Sequence, residues 1–342
     1  MCLRRGISAA EAEGIKLAIT DHDGALNEGA ATGREAGSPI EMPAKAWRQV
    51  VARAWRRSWE ENIGLVAAGT AFYGFIAIVP ILIVSAILYS SLADPAAVVR
   101  NAGRLGTILP PGGVDAVTAQ LERIVSASAR ARGLGFLGAI AVALFGARNA
   151  ATALIAALNI AYDEEEKRGL ARLSLVALTI MGAGFGLAFA LLILLGFLGT
   201  LNGAIPELGT AGGIALQVAG LAIALLLSAT GAATLYRFAP CRAKAKWKWV
   251  TPGSLFAAIA WLVLTMTFSF YVTRSGNFKT NYGPAASGIV VLVWLYFSAL
   301  VFVFGAEINA ELERQMAEDT TEGGHKPLGS RGAEAADEVA ED

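Results

Sequence analysis

Six polar side chains stand where a chain of this hydrophobicity has few: Thr70 and Tyr73, Arg148 and Asn149, Glu307 and Asn309. Glu307 closes an uncharged run from Gly283 to Ala306. As a helix that run extends about 36 Å, more than the roughly 30 Å hydrocarbon core of a bilayer. A carboxylate at such an edge is either an interfacial anchor or the partner of a buried cation. Arg148 stands about 22 Å along a second apolar segment, where it either snorkels to the headgroups or lines a polar pathway. If both run from outside to inside, the two reach the same end, so a charge-assisted pair between Arg148 and Glu307, forming an inner gate, is one expectation. Thr70 and Tyr73 lie one turn or less apart before Pro80, which removes a backbone hydrogen bond from its helix. The two hydroxyls bond locally or line the same path, and Pro80 is a packing kink or a hinge.

Other chemistry is harder to build. Both histidines, His22 and His325, lie in polar tails, and the two cysteines, Cys2 and Cys241, form no disulfide framework. A His-ligated metal, a Ser/His or Cys/His nucleophile and a histidine general base all need imidazole inside the folded part. No catalytic residue, cofactor or metal site is therefore expected. The run Asp163 to Glu166 points its carboxylates in successive directions and reads as a solvated helix end.

The elements that must position these residues are helices. Hydrophobic residues make up 55% of the chain and charged residues only 16%, below the quarter usual in soluble domains. The fold class is all-α, a polytopic membrane protein with a bundle of six transmembrane helices over about 63–93, 133–155, 173–200, 210–236, 250–272 and 283–306. Residues 1–44 and the acidic 316–342 read as disordered tails around a membrane domain at 45–315. Lys45 to Arg57 forms a basic amphipathic helix suited to the membrane surface, with Trp47, Val50, Val51 and Ala54 on one side. Between spans one and two, residues 94–132 carry two short amphipathic helices separated by Pro110 and Pro111. Gly182, Gly184 and Gly186, and Gly209 with Gly213, have the small-residue spacing of close helix crossings.

Lys and Arg concentrate before span one, after span two and after span four, which puts those loops and both termini in the cytoplasm. The third cluster, Arg242, Lys244, Lys246 and Lys248 with Trp247 and Trp249 interleaved, suits membrane anchoring or lipid-headgroup contact. Lying against a span, it is not read as a nucleic-acid site. On the opposite side Asn277, Lys279, Asn281 and Tyr282 form a tight turn into span six, or contact a substrate headgroup from outside.

Four stretches in order, "AAGTAFYGFIAIVPIL", "ARNAATALIAALNIAYDEEEKR", "LYRFAP" followed by "WKWVTPGSLFAAIAW", and "NYGPAASGIVVLVWLYFSALVFVFGAEINA", resemble the YihY/BrkB family of bacterial inner-membrane proteins. The resemblance covers about Trp47 to Gln315 and implies a six-span bundle. Members were once labelled a transfer-RNA-processing ribonuclease, since regarded as a mistake, and one gave the family its association with resistance to serum killing. The resemblance implies envelope maintenance, or export of a lipid-like or small polar substrate, with membrane lipids as partners and no catalytic residues to carry over. A non-transporting scaffold for envelope assembly is the alternative, a membrane ribonuclease the weakest reading, and the oligomeric state stays open.

Overall fold

The computed structural model describes residues 33–34, 36–92, 129–204, 209–274 and 286–340. The expected amphipathic helices of 94–132, the turn with Asn277, Lys279, Asn281 and Tyr282, and Cys2 and His22 lie outside those residues, apart from the last few of 94–132. A 3-10 turn at Pro39–Glu41 leads into α1, Ala44–Glu60. Then come α2 at Ile63–Leu92, α3 at Ala129–Ala161, α4 at Leu170–Ala204, α5 at Gly209–Phe238, α6 at Trp247–Arg274, α7 at Ala286–Arg314 and a short α8 at Glu334–Asp337. No strand is present among the described residues, so the all-α reading holds.

Five of these helices are long and apolar enough to cross a membrane, and a sixth crossing results if α1 and α2, bent by 69° at their junction, are counted as one broken span. The bend is local: Asn62 takes a left-handed φ of 53°, a conformation that asparagine tolerates better than most residues. Helix α2 continues unbroken through position 80. Helix α7 has 29 residues, which makes it about 43 Å long and leaves its last turns beyond a 30 Å hydrocarbon core.

Helix α7 is the central element, packed against α1, α2, α3, α6 and α8, while α4 and α5 form an outer pair that reaches the bundle through α3 and α6. Phe185, Phe189 and Ile193 of α4 and Val218 and Leu226 of α5 face outward, as lipid-facing helices require. The core runs through Ile155, Leu158 and Tyr162 of the α3 end, Tyr236 of α5, Val250 of α6 and Val303 of α7. Its tightest crossing joins α6 and α7, where a methyl group on Gly253 would stand 2.0 Å from the Gly305 carbonyl oxygen. Gly182, Gly184 and Gly186 do not serve this purpose, because each faces open space with nothing within 4 Å. Their spacing was right for a crossing, but α4 turns that face away from its neighbours.

The helix ends that meet the loop at 239–246 form what we call the basic end. Here the C-terminal segment departs from the expectation of a disordered tail. Residues 316–340 fold back over this end: Ala245 pairs with Thr321 in an antiparallel bridge, the Lys246 amide donates to the Thr320 carbonyl (2.9 Å) and the Ala243 amide to that of Gly332 (2.8 Å). Arg331 is 2% exposed and donates to the carbonyls of Ala317, Glu318, Lys326 and Ala336. Part of the expected N-terminal tail joins it, with the Ala317 amide bonded to the Arg34 carbonyl at 3.1 Å.

Candidate functional site

The last turns of α7 carry an unusual sequence for a buried helix: Glu307, Asn309, Glu311, Glu313 and Arg314 are all 2% exposed or less. Helical spacing sorts them. Glu307, Glu311 and Arg314, at i, i+4 and i+7, share one face, and Asn309 and Glu313, at i and i+4, share the other.

The first face meets α1. Ala46, Val50 and Ala54 bury against Ile308, Leu312 and Met316 of α7 and its extension, so the amphipathic helix docks on protein along that side. Val51, Trp55 and Trp59, at i, i+4 and i+8, remain outward. The docking carries Arg53 and Arg57 onto the carboxylates: Arg53 Nε donates to Glu311 Oε2 at 2.6 Å, and Arg57 Nε lies 3.0 Å from Glu61 Oε1 and 3.8 Å from Glu311 Oε1. Arg314 bonds Glu311 at 2.6 Å and Asp163 at 2.7 Å, and Arg57 also reaches Asp163. Into this layer the α1–α2 elbow brings Glu61, which Arg57 holds at 3.0 Å, close enough to Glu307 for the two carboxyls to act on each other electrostatically. Both oxygens of Glu307 and Oε2 of Glu61 are buried without a hydrogen-bond partner.

The second face repairs and clamps. Pro252 sits inside α6, where it lacks the N–H its turn needs. Asn309 meets the backbone on either side of it, accepting from the Gly253 amide at 2.7 Å and donating to the Val250 carbonyl at 3.1 Å. Arg242 Nη2 donates to both Glu313 oxygens, at 2.6 and 2.8 Å. Both side chains are fully buried, and the Arg242 guanidinium lies 4.3 Å above the Tyr162 ring. Burial raises the Tyr162 phenol well above its ordinary value and keeps it neutral.

The basic loop is thus largely spent on the protein itself. Besides Arg242, Lys246 Nζ donates to the Asp319 carbonyl at 2.7 Å, Lys248 Nζ reaches the Gly37 carbonyl, and Trp249 is 2% exposed. Lys244, over the Phe238 ring at 5.0 Å, and Trp247, beside the same ring, are exposed. Of the six residues expected to meet headgroups, only these last two and Lys248 lie open, because Glu313 of α7 holds Arg242, the α1–α7 cluster buries Trp249 and the C-terminal segment holds Lys246. Nearby, Arg168 clamps Glu166 through Nε at 2.7 Å and Nη2 at 2.6 Å, and Asn159 donates to it at 3.0 Å. The Arg168 bonds hold the Glu166 carboxyl down to about 2.

Arg148 is half-buried on α3. Its Nε donates to Ser174 Oγ at 2.9 Å, and a long 3.5 Å contact reaches Asn149 Oδ1. Arg148 lies thirteen residues, about 20 Å, from the α3 end, while Ser174 is only one turn inside α4, so the side chain leans toward the basic end. The structure does not bring it to Glu307. Thr70 donates to the Val66 carbonyl at 3.1 Å, the local bond that a helical threonine makes. Tyr73 is 40% exposed, edge-on to Phe72. Sequence reasoning missed Glu61, Arg53 and Arg57 as members of the site; the available signal was an acid at the break between a basic amphipathic helix and an apolar span. Among the described residues no group of three or more His, Cys, Asp or Glu side chains is placed to hold a metal ion.

Comparison with known proteins places these features in a wider set. The family model described as Virulence factor BrkB matches residues 54–328. A Bacillus subtilis protein named as ribonuclease-like, YfkH, is 34% identical over 54% of this chain and 67% of its own length. A UPF0761 membrane protein of Rhodospirillum centenum is 28% identical over 82% of this chain and 61% of its own, and one of Ralstonia nicotianae 30% identical over 76% and 57%. The alignments thus span less than two thirds of the latter two relatives. No solved structure matches.

Proposed function

The chain belongs to the BrkB family of membrane proteins, and on that footing we propose that it moves, or helps move, a lipid-like or small polar substrate across the bacterial inner membrane. The observation that carries the proposal is Arg148. It keeps a guanidinium among the spans with only the neutral Ser174 and Asn149 as hydrogen-bond partners. A charge inside a membrane domain is costly and ordinarily faces an interior pathway or a counter-ion. A substrate with an anionic headgroup would supply the missing charge. The surplus of Lys and Arg at the basic end supports a cytoplasmic side for that end and for both termini.

A scaffold reading draws on the C-terminal segment, where the exposed residues 322–330 are held between buried Thr321 and Arg331 like a presented loop. Reconstitution separates the two. Protein purified into lipid nanodiscs is assayed for co-purifying lipids by mass spectrometry, and proteoliposomes are assayed for translocation of fluorescent anionic lipids. Wild type accelerates translocation, Arg148→Lys retains part of it, and Arg148→Gln loses it with the bound lipid. Equal rates in wild-type and protein-free vesicles, with no lipid enriched, overturn transport in favour of the scaffold. The ribonuclease-like name of the Bacillus relative supplies a control: RNA cleavage that tracks the protein and vanishes with one acidic substitution replaces both readings.

A further inference from the structure

The layer between α1, the elbow and α7 contains the guanidiniums of Arg53, Arg57 and Arg314 and the carboxyls of Glu61, Asp163, Glu307 and Glu311. Three cations thus face four acids, and a fifth acid, Glu338, sits half-exposed 3.5 Å beyond Arg314. The pairing is specific. Glu311 is bonded by Arg53 and Arg314, Asp163 by Arg57 and Arg314, and one oxygen of Glu61 by Arg57. What remains is Glu307, 0% exposed, and the second oxygen of Glu61.

Carboxylate oxygens only accept, so two ionised groups in contact form no hydrogen bond and repel in a site that water does not screen. One proton resolves both problems at once: it turns one acceptor into a donor, completes the bond and brings the layer to three cations and three anions. We propose that Glu307 and Glu61 together are a proton-binding site that staples the α1–α2 elbow to α7. The surrounding groups fit that role. Tyr162, fully buried and neutral, adds a polar wall within electrostatic reach, and Arg57 and Arg314 are held by other acids.

Release of the proton leaves an uncompensated charge between the elbow and α7 and drives them apart. Asn62, already in a left-handed conformation at the 69° bend, is where the chain can yield. Proton binding rests on the buried, unpartnered carboxyl oxygens and on the commitment of the surrounding arginines to other acids. Its role as the coupling ion of transport rests on the function proposed above.

The test uses the full-length protein in nanodiscs without substrate. Infrared difference spectroscopy in light and heavy water reads the carbonyl stretch of protonated carboxyls, and hydrogen exchange reads residues 44–62 as pH is raised from mildly acidic to alkaline. Wild type shows a buried protonated-carboxyl band that disappears on alkalinisation while exchange across α1 and the elbow accelerates. Glu307→Gln, which mimics the protonated form, loses the band and keeps slow exchange at every pH; Glu61→Gln loses the band as well. A wild type without the band, a band that survives both substitutions, or opening that follows sodium rather than pH overturns the proposal. Neither readout requires transport, so an inert protein with an intact band defeats the transport reading alone.

Discussion

Replacing Asn309 by alanine removes the side chain that accepts from the Gly253 amide and donates to the Val250 carbonyl beside Pro252. Two magnitudes compete. Interhelical side-chain hydrogen bonds in membrane proteins average about 0.6 kcal/mol, since the unfolded chain finds substitute partners within the bilayer; two would come to about 1.2 kcal/mol. Backbone groups buried against a neighbouring helix and left unpaired cost about 1–3 kcal/mol each, or about 2–6 kcal/mol together. The second estimate governs here, because both bonds are buried and lie at the turn of α6 that Pro252 disrupts. Asn309→Ala is therefore expected to destabilise the protein by about 2–6 kcal/mol in reversible unfolding from mixed micelles. In a Pro252→Ala background the turn closes itself, and the same substitution costs only the lost packing, about 1 kcal/mol. A double-mutant cycle then shows coupling well above the roughly 0.5 kcal/mol scatter of independent sites. If the two effects simply add, Asn309 is not repairing the proline break and the argument fails.

Three further outcomes follow from the same contacts. Glu313→Ala strands the fully buried Arg242 guanidinium and is expected to cost about 3–5 kcal/mol, whereas replacing both residues by apolar ones of similar volume costs much less in the same unfolding assay. The Glu166 carboxyl is held at about 2, below its ordinary 4.5. Its contribution to stability is therefore complete above 4.5 and fades as pH falls from there toward 2; Arg168→Ala should flatten that acid limb of the unfolding midpoint. Cys241 lies half-buried in the basic loop, so a membrane-impermeant maleimide should label it only after cells are permeabilised, and labelling of intact cells would invert the orientation.

The apolar helices were legible because length and hydropathy alone define the uncharged runs at their centres. Their ends extend further, as in α3 from Ala129 to Ala161 and α7 to Arg314, since a helix continues in water for as long as it finds packing. The C-terminal segment was not legible. Its composition offers little apolar surface, and only Met316, Ala333, Ala335 and Ala336 bury a hydrophobic side chain there. Its order comes from polar contacts that no period announces. One guanidinium, that of Arg331, gathers four carbonyls, a task suited to its five fixed donors. An arginine in a Gly-rich acidic stretch looks the same in sequence whether it is solvated or central.

The candidate site fails to be legible for a related reason. Depth along a helix can be counted from the sequence, and by depth Arg148 and Glu307 are plausible partners. The direction in which each side chain points depends on which helices are neighbours. Arg148 leans to Ser174 on α4, while the Glu307 face turns to α1 and the elbow. The consequence reverses the expected chemistry: Glu307 meets another acid instead of a cation, while the cations around it are committed elsewhere. A carboxyl in that position gains nothing as an anchor, because it touches no water, and little as one half of an ion pair. What it can hold, with Glu61, is a proton, and the bent junction of α1 and α2 is where the presence of that proton would be felt.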